Sequence, residues 1–445
     1  MRINRRSFIN CASLAAAGNI LGLRPFGAMN ALAQSATDYK ALVCVFLFGG
    51  NDANNTLVPF DTTGYNTYSS LRGDLALAQN SLLPLAPAPN FALHPSLPDI
   101  QTLFNNKNAA FVANVGTLVQ PLTRTQFQAG QTAPINLFSH PDQQLEWQNA
   151  AQSAATPTGW AGRMADLLAA NYNQGASIPM ITSVAGDTLF CNGNSTSPVS
   201  VAPGNLGQAN CSEGAECGAR ELTAQALLSL ASGVSLVQAD DTITQNAYAY
   251  AKTLSDAVQS ISPLQTVFPA NNPLAAQLKQ IAQIIQVRSA LGVQRQIFFA
   301  GIGNFDTHAD QLALQSSLLS MISPALAAFY NATLELNLAS QVTTFTMSDF
   351  NRAFQPNSNT GSDHAWGSHH IVIGGAVKGG QIYGNYPTLA LGGPDDSGSN
   401  GRWLPSTSSS QYAATLAQWF GVSAADLPSV LPFIGNFTTQ SLGFV

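Results

Sequence analysis

Charge is what this sequence has least of: Asp, Glu, Lys and Arg together make up 9% of its 445 residues. Acids outnumber bases, 23 to 17, so there is no basic surplus to neutralise a phosphate backbone, and nucleic-acid binding is excluded. Histidine is scarce too, with six in the chain, and cysteine more so, with five. Past residue 33 no segment is read as reaching the ~20 apolar residues of a membrane-crossing helix, so no membrane span is expected there.

Bases do gather at the N-terminus, where Asn4-Arg5-Arg6-Ser7-Phe8-Ile9 precedes a run rich in Ala, Leu and Gly. The apolar stretch from Leu14 to Leu23 is too short to span a bilayer, and Arg24 closes it. Ala31-Leu32-Ala33 then supplies a small-x-small cleavage pattern. Residues 1–33 thus read as a twin-arginine export signal, and a periplasmic or secreted location is expected. Cys11 lies at the front of the apolar run rather than after it, so no lipid anchor is expected. Loss of the signal's four arginines from the 17 bases leaves 13 against 23 acids, a net charge of −10. The twin-arginine route carries folded passengers, often with a metal installed, and a metalloprotein suits it.

Four cysteines remain after cleavage. Cys44 lies in the apolar run 41–48 and reads as a buried thiol, whereas Cys191, Cys211 and Cys217 fall in a Gly/Ser/Asn-rich segment from about 190 to 220 that looks like a long surface loop. An oxidising compartment favours a disulfide from Cys191 to Cys211 or Cys217, with a zinc knot as the alternative.

Short continuous apolar runs bounded by Gly, Asn or Asp predict buried strands at 41–48, 111–116, 177–184, 296–302, 342–347 and 370–377. Helical periodicity predicts helices near 97–105, 142–152, 160–172, 309–335 and 409–420. Their alternation implies an α/β fold, a mostly parallel central sheet flanked by helices. Residues 221–293 give helical segments in succession, so 34–445 is expected to be one α/β domain carrying a Cys-containing loop and helical insertion over 190–293.

Acids and histidines follow the ends of those strands. Gly49-Gly50-Asn51-Asp52 ends the first, Asp306 and His308 follow the run at 296–302, Asp349 ends the run at 342–347, and Asp363-His364 precedes the last. Ligands of open α/β sheets bind beyond the carboxyl ends of the strands, so these residues are expected to converge. Imidazole nitrogens with carboxylate oxygens form the ligand set of a divalent ion such as zinc or manganese. Taken singly, Asp52 is equally a turn residue, Asp306 a helix cap, and Ser139 or Asp142 the cap of a helix near 143. His94, in Leu93-His94-Pro95, reads as a structural residue beside a helix start, and Trp147, Trp160 and Trp419 as core.

A series of longer motifs runs through the chain: Phe48-Gly49-Gly50-Asn51-Asp52-Ala53-Asn54-Asn55-Thr56-Leu57-Val58-Pro59, Leu93-His94-Pro95, Phe138-Ser139-His140 with Gln144, Gly159-Trp160-Ala161-Gly162-Arg163, Phe305-Asp306-Thr307-His308, Ser348-Asp349-Phe350-Asn351-Arg352, Asp363-His364, and Gly374-Gly375-Ala376-Val377. In these the chain resembles the DUF1501 proteins, grouped with the alkaline phosphatase and sulfatase superfamily. That resemblance implies an alkaline phosphatase-like fold carrying divalent cations, with a Ser or Thr nucleophile at a helix N-terminus attacking phosphate or sulfate. Asp52, Asp306, His308, Asp349 and His364 then resemble metal ligands, one or two zinc or manganese ions being implied. Ser139 resembles the nucleophile, with His140 beside it and Arg352 placed to hold the anionic group. Where the superfamily has an Asp-His pair, this chain has Asp349-Phe350. A missing ligand is then left to His140, His369 or His370, the last two facing opposite sides if they share a strand.

The implied function is an exported metal-dependent hydrolase of phosphate or sulfate esters on small molecules or polymers. The alternative is a secreted binding or structural protein that keeps the fold without catalysis.

Overall fold

The computed structural model describes residues 38–151, 157–204, 223, 226–228 and 234–445. The expected export signal, Cys211 and Cys217 lie outside the described residues. Lys40–Val445 forms one compact unit.

Twelve strands are described: β1 Lys40–Leu47, β2 Leu57–Pro59, β3 Leu83–Pro84, β4 Phe91–Leu93, β5 Ala109–Gly116, β6 Ile181–Ser183, β7 Val199–Ser200, β8 Arg295–Ile302, β9 Val342–Ser348, β10 Ser368–Gly374, β11 Ile382–Tyr383 and β12 Thr407–Ser408. The main sheet runs β11-β5-β10-β9-β1-β8-β6-β7, with β12 on β5, while β2, β4 and β3 make a small antiparallel sheet. Strands β9, β1, β8, β6 and β7 are parallel to one another, and β10 is antiparallel to both β9 and β5. Direction therefore reverses at β10 alone, and the approach to β10 from residues 364–367 reaches the edge where β1, β8 and β9 end.

Strand β1 sits at the centre because its sequence, Lys-Ala-Leu-Val-Cys-Val-Phe-Leu, offers both faces to a core. Leu42, Cys44 and Phe46 join the cluster built from helices Trp160–Tyr172 and Ser409–Phe420, with Trp160, Met164, Tyr412 and Leu416 among its members. Ala41, Val43 and Val45, on the other side, are equally buried. Continuous burial of this kind is how a strand covered on both faces reads in sequence. Helix Pro273–Gln286 packs on β8, helix Pro98–Asn105 on β5, and helix Gln311–Glu335 lies against both of those helices.

Helix Gln311–Glu335 corrects one expectation, since by length and composition it is apolar enough to cross a membrane. Half of that apolar window is buried inside the protein, with Leu318, Ile322, Leu326 and Phe329 facing its neighbours. The 221–293 block holds helices Ser235–Gln259, Pro273–Gln286 and Arg288–Leu291. Cys191 is a free thiol buried in the same core as Cys44, not an exposed loop residue. The turn Leu189–Cys191 lies beside Trp160, and burial raises the thiol's pKa.

Candidate metal centre

Four loops meet at the carboxyl edge. The one after β1 turns at Gly49 and Gly50, with φ of 111° and 81°, conformations that favour glycine. A Cβ on Gly49 would lie 2.5 Å from the backbone N of Asp306, so the loops after β1 and β8 touch main chain to main chain. The loop after β9 brings Asp349, the segment before β10 brings His364, and the chain leaving β5 reaches His140 at the first position of helix His140–Asn149.

Asp306 is the centre of the cluster. Its Oδ1 lies 3.1 Å from His308 Nε2 and 3.4 Å from both His140 Nε2 and His364 Nε2. The Nε2 atoms of His308 and His364 are themselves 2.8 Å apart. What fixes the rings lies on their other nitrogens. His364 Nδ1 meets the Phe138 carbonyl at 2.7 Å, and a carbonyl only accepts, so the proton sits on Nδ1 and the neutral ring directs an Nε2 lone pair inward. His140 Nδ1 donates to Asp349 Oδ2 at 2.7 Å and likewise aims Nε2 at Asp306. Among the described residues, that Nε2 has no hydrogen-bond partner. His308 Nδ1 faces Asp363 Oδ1 more loosely, at 3.7 Å. Such anchoring of the outer nitrogen is what metal-bound histidines show. His140, Asp306 and His364 present ligand atoms within 4.8 Å of one another, and the donor set suits one divalent ion.

Electrostatics point the same way. Burial works to raise the Asp306 pKa, but the hydrogen bond and charge of Arg352, with His140 and His308, outweigh it and hold it at about 2. The carboxylate is therefore ionised across the physiological range. The hydrogen bond to Asp349 raises the His140 pKa against burial, while burial lowers that of His364. The cluster opens to solvent, the Asp306 and His308 side chains being 48% and 44% exposed.

Asp349 holds the ring of His140 and stands behind it. It also accepts from Gln144 Nε2 at 2.8 Å and from Gly49 N at 3.1 Å, so its oxygens are taken. Gln144 sits four residues after His140 on one helix, a spacing that puts both on one face.

Other expected site residues are placed differently. Asp52 forms a fully buried ion pair with Arg72, and its oxygens also accept from Gln311 Nε2 at 2.6 Å and Asn54 N at 3.1 Å. It caps the single turn Ala53–Thr56 and is not among the converging groups, because a carboxylate so placed has no free lone pair directed at the histidines. Arg352 is buried too. Its guanidinium donates to the carbonyls of Gly50, Ser362, Gly49 and Phe305 and to Asp306, so it ties the loops together and has no fork left for a substrate anion. Ser139 occupies the cap position of helix His140–Asn149 without bonding its backbone; its hydroxyl donates to Asp142 Oδ2 at 2.6 Å.

The three remaining histidines serve the core. His94 is buried and accepts from Ser96 N, and burial lowers its pKa to about 4. His369 accepts from Asn114 N and stacks on Tyr386, whereas His370 packs on Trp147 and Tyr412; burial lowers both to about 3. Neither reaches the cluster. Arg72 and the Phe138 carbonyl were not legible as partners, since nothing local in sequence links Arg72 to Asp52 or residue 138 to residue 364.

Comparison with solved structures gives distant likenesses. The chain is similar to Ps i-CgsB (TM-score 0.37, 10% identity, covering 89% of this chain and 77% of that one). It is similar also to the lipoteichoic acid synthase LtaP from Listeria monocytogenes (0.36, 8%, 89% and 76%) and to the PsFucS1 sulfatase from Pseudoalteromonas sp. (0.36, 8%, 91% and 73%). No curated protein matches. Residues 39–397 match the family model described as "Protein of unknown function (DUF1501)", and the chain belongs to that family.

Proposed function

We propose that this protein is an exported, metal-dependent hydrolase of phosphate or sulfate esters, working with one zinc or manganese ion held by His140, His308, His364 and Asp306. The observation that carries the reading is the convergence of three imidazole Nε2 atoms on one ionised carboxylate oxygen, two of them anchored through Nδ1 at 2.7 Å. Nothing in a purely structural cluster requires inward lone pairs, nor its exposure to solvent. A bound divalent ion would supply positive charge to polarise an ester oxygen.

The chain's own groups supply the rest. Asp349 and the Phe138 carbonyl keep the rings in the tautomers that leave Nε2 free. Arg352 and Gly49 fix the loop that carries Asp306. Ser139 adjoins His140 and already passes a hydrogen bond to Asp142, so Asp142 is the group placed to take its proton as the oxygen bonds to phosphorus or sulfur and the bond to the ester oxygen breaks, the proton then passing to the departing alcohol. The ester class rests on the motif resemblance and on Ser139 standing at a helix N-terminus.

One observation favours a second reading, a secreted binding or structural protein. With Asp52 neutralised by Arg72 and Asp349 occupied, the donors suffice for one ion, not two. Hydrolysis of aryl phosphate, phosphodiester and aryl sulfate by metal-loaded protein separates the two. Turnover of one of these esters, abolished in Ser139→Ala with the melting temperature preserved, is the expected result. Absence of turnover on every ester would favour the binding protein, and activity surviving Ser139→Ala would remove Ser139 from the mechanism.

A further inference from the structure

With Arg352 and Arg72 both buried and engaged, the hydrolase reading leaves the substrate's anionic oxygens without a partner. Another arginine stands at the border of the site. Arg402 lays its guanidinium over the ring of Phe138, with Cζ 4.5 Å from the ring centroid. The same Phe138 gives its carbonyl to His364 Nδ1, and Ser139 and His140 follow it directly. Residue 138 thus touches the cation with its ring and the metal cluster with its backbone.

Arg402 differs from other arginines in what surrounds its charge. Arg124 donates to the carbonyls of Asp396 and Gly398, and Arg163 to those of Val430, Thr158 and Asn149. Among the described residues, the Arg402 guanidinium makes no hydrogen bond and no ion pair, and its Nε is a buried donor without a partner. The main chain beneath it is firmly held. Arg402 N donates to Asp396 Oδ1 at 3.1 Å, and its carbonyl accepts from Ser397 N and Oγ. A pinned backbone therefore presents a flat guanidinium, oriented by an aromatic face, with its donors unfilled. That is the form in which arginine recognises the paired oxygens of phosphate or sulfate.

We infer that Arg402 binds the anionic oxygens of the substrate, so that the site takes an ester that is itself an anion and not a neutral carboxyl ester. This rests on the hydrolase reading for its substrate, but the anion site has its own readout. Inorganic phosphate and inorganic sulfate are titrated calorimetrically into metal-loaded wild type and Arg402→Gln, with metal content and melting temperature measured on both. Loss of a charged, two-pronged contact should weaken binding of at least one anion by about tenfold or more, at unchanged metal content. Phenylglyoxal modification of folded wild type, mapped by mass spectrometry, covers the case in which the variant melts early. Arg402 should be modified and should be protected by the anion that binds. Equal affinity in the Gln variant, no binding of either anion by wild type, or modification of Arg402 unaffected by the anion would each overturn the inference. Anion binding through Arg402 in a protein that hydrolyses no ester would support the site while removing the hydrolase reading.

Discussion

Asp52 and Asp306 are both strand-end aspartates in Gly-containing turns, and their neighbours alone separate them. Arg72 and Gln311 close on Asp52 within the core, whereas Asp306 keeps one oxygen before three imidazoles. Breaking a buried ion pair by removing one partner strands the other charge, at about 3–5 kcal/mol. Asp52→Asn should therefore lower stability by that order in denaturant titration and leave metal content unchanged; loss of metal with stability intact would make Asp52 a ligand after all. Glu146 is a second buried acid, on the helix that begins with His140. Burial outweighs its hydrogen bonds and raises its pKa from 4.5 to about 7, with Oε1 unpartnered. A raised carboxyl pKa means the folded state keeps a proton that the unfolded state releases, so stability falls as pH rises from 4.5 through 7 and levels off above. The loss amounts to roughly 3 kcal/mol at pH 8 by linkage. Glu146→Gln should melt with wild type at pH 4 and above it at pH 8, and coincident melting at both values would refute the assignment.

At the scale of elements, the sequence was most legible where burial is two-sided. The apolar runs of β1, β5, β8 and β9 predict those strands to within two residues at either end, because a strand covered on both faces has no polar alternation to blur it. Expected at 177–184, β6 spans Ile181–Ser183, and expected at 370–377, β10 spans Ser368–Gly374. Pairs of residues such as β11 and β12 left no local signal, being defined by partners far along the chain. Nor does periodicity encode direction, so the reversal at β10 that brings His364 to the common edge was not readable. Asp306, His308 and His364 could be named because they adjoin strand ends; His140 could only be left among three alternatives, since its approach from β5 passes through a long loop. The contact between the loops after β1 and β8 is the element-level feature on which the site depends. Gly49→Ala adds a Cβ 2.5 Å from Asp306 N at a φ of 111° and should reduce metal content without unfolding the protein. Gly186→Ala, at a φ of 83° with nothing within 4 Å, supplies the control for backbone strain alone, about 1–2 kcal/mol. Equal metal content in both variants would contradict the role given to that contact.

For the whole molecule, a sheet buried on both faces brings His140, Asp306, His308 and His364 together from the loops at one edge, and the low overall charge makes that edge stand out. The helices hold it in place: His140–Asn149 carries a histidine and its supporting Gln144, while Gln311–Glu335 supplies the glutamine that keeps Asp52 occupied. Such division of labour accounts for a site whose donors suit one ion, where one or two were implied by resemblance. The most direct test is the metal content of the purified protein, determined by elemental analysis for wild type, His308→Ala, His364→Ala, Asp52→Asn and His94→Ala. The account predicts one zinc or manganese ion per chain in wild type, Asp52→Asn and His94→Ala, and substantial loss in the two other histidine variants. Two ions per chain, none, or equal content in all five proteins would contradict it.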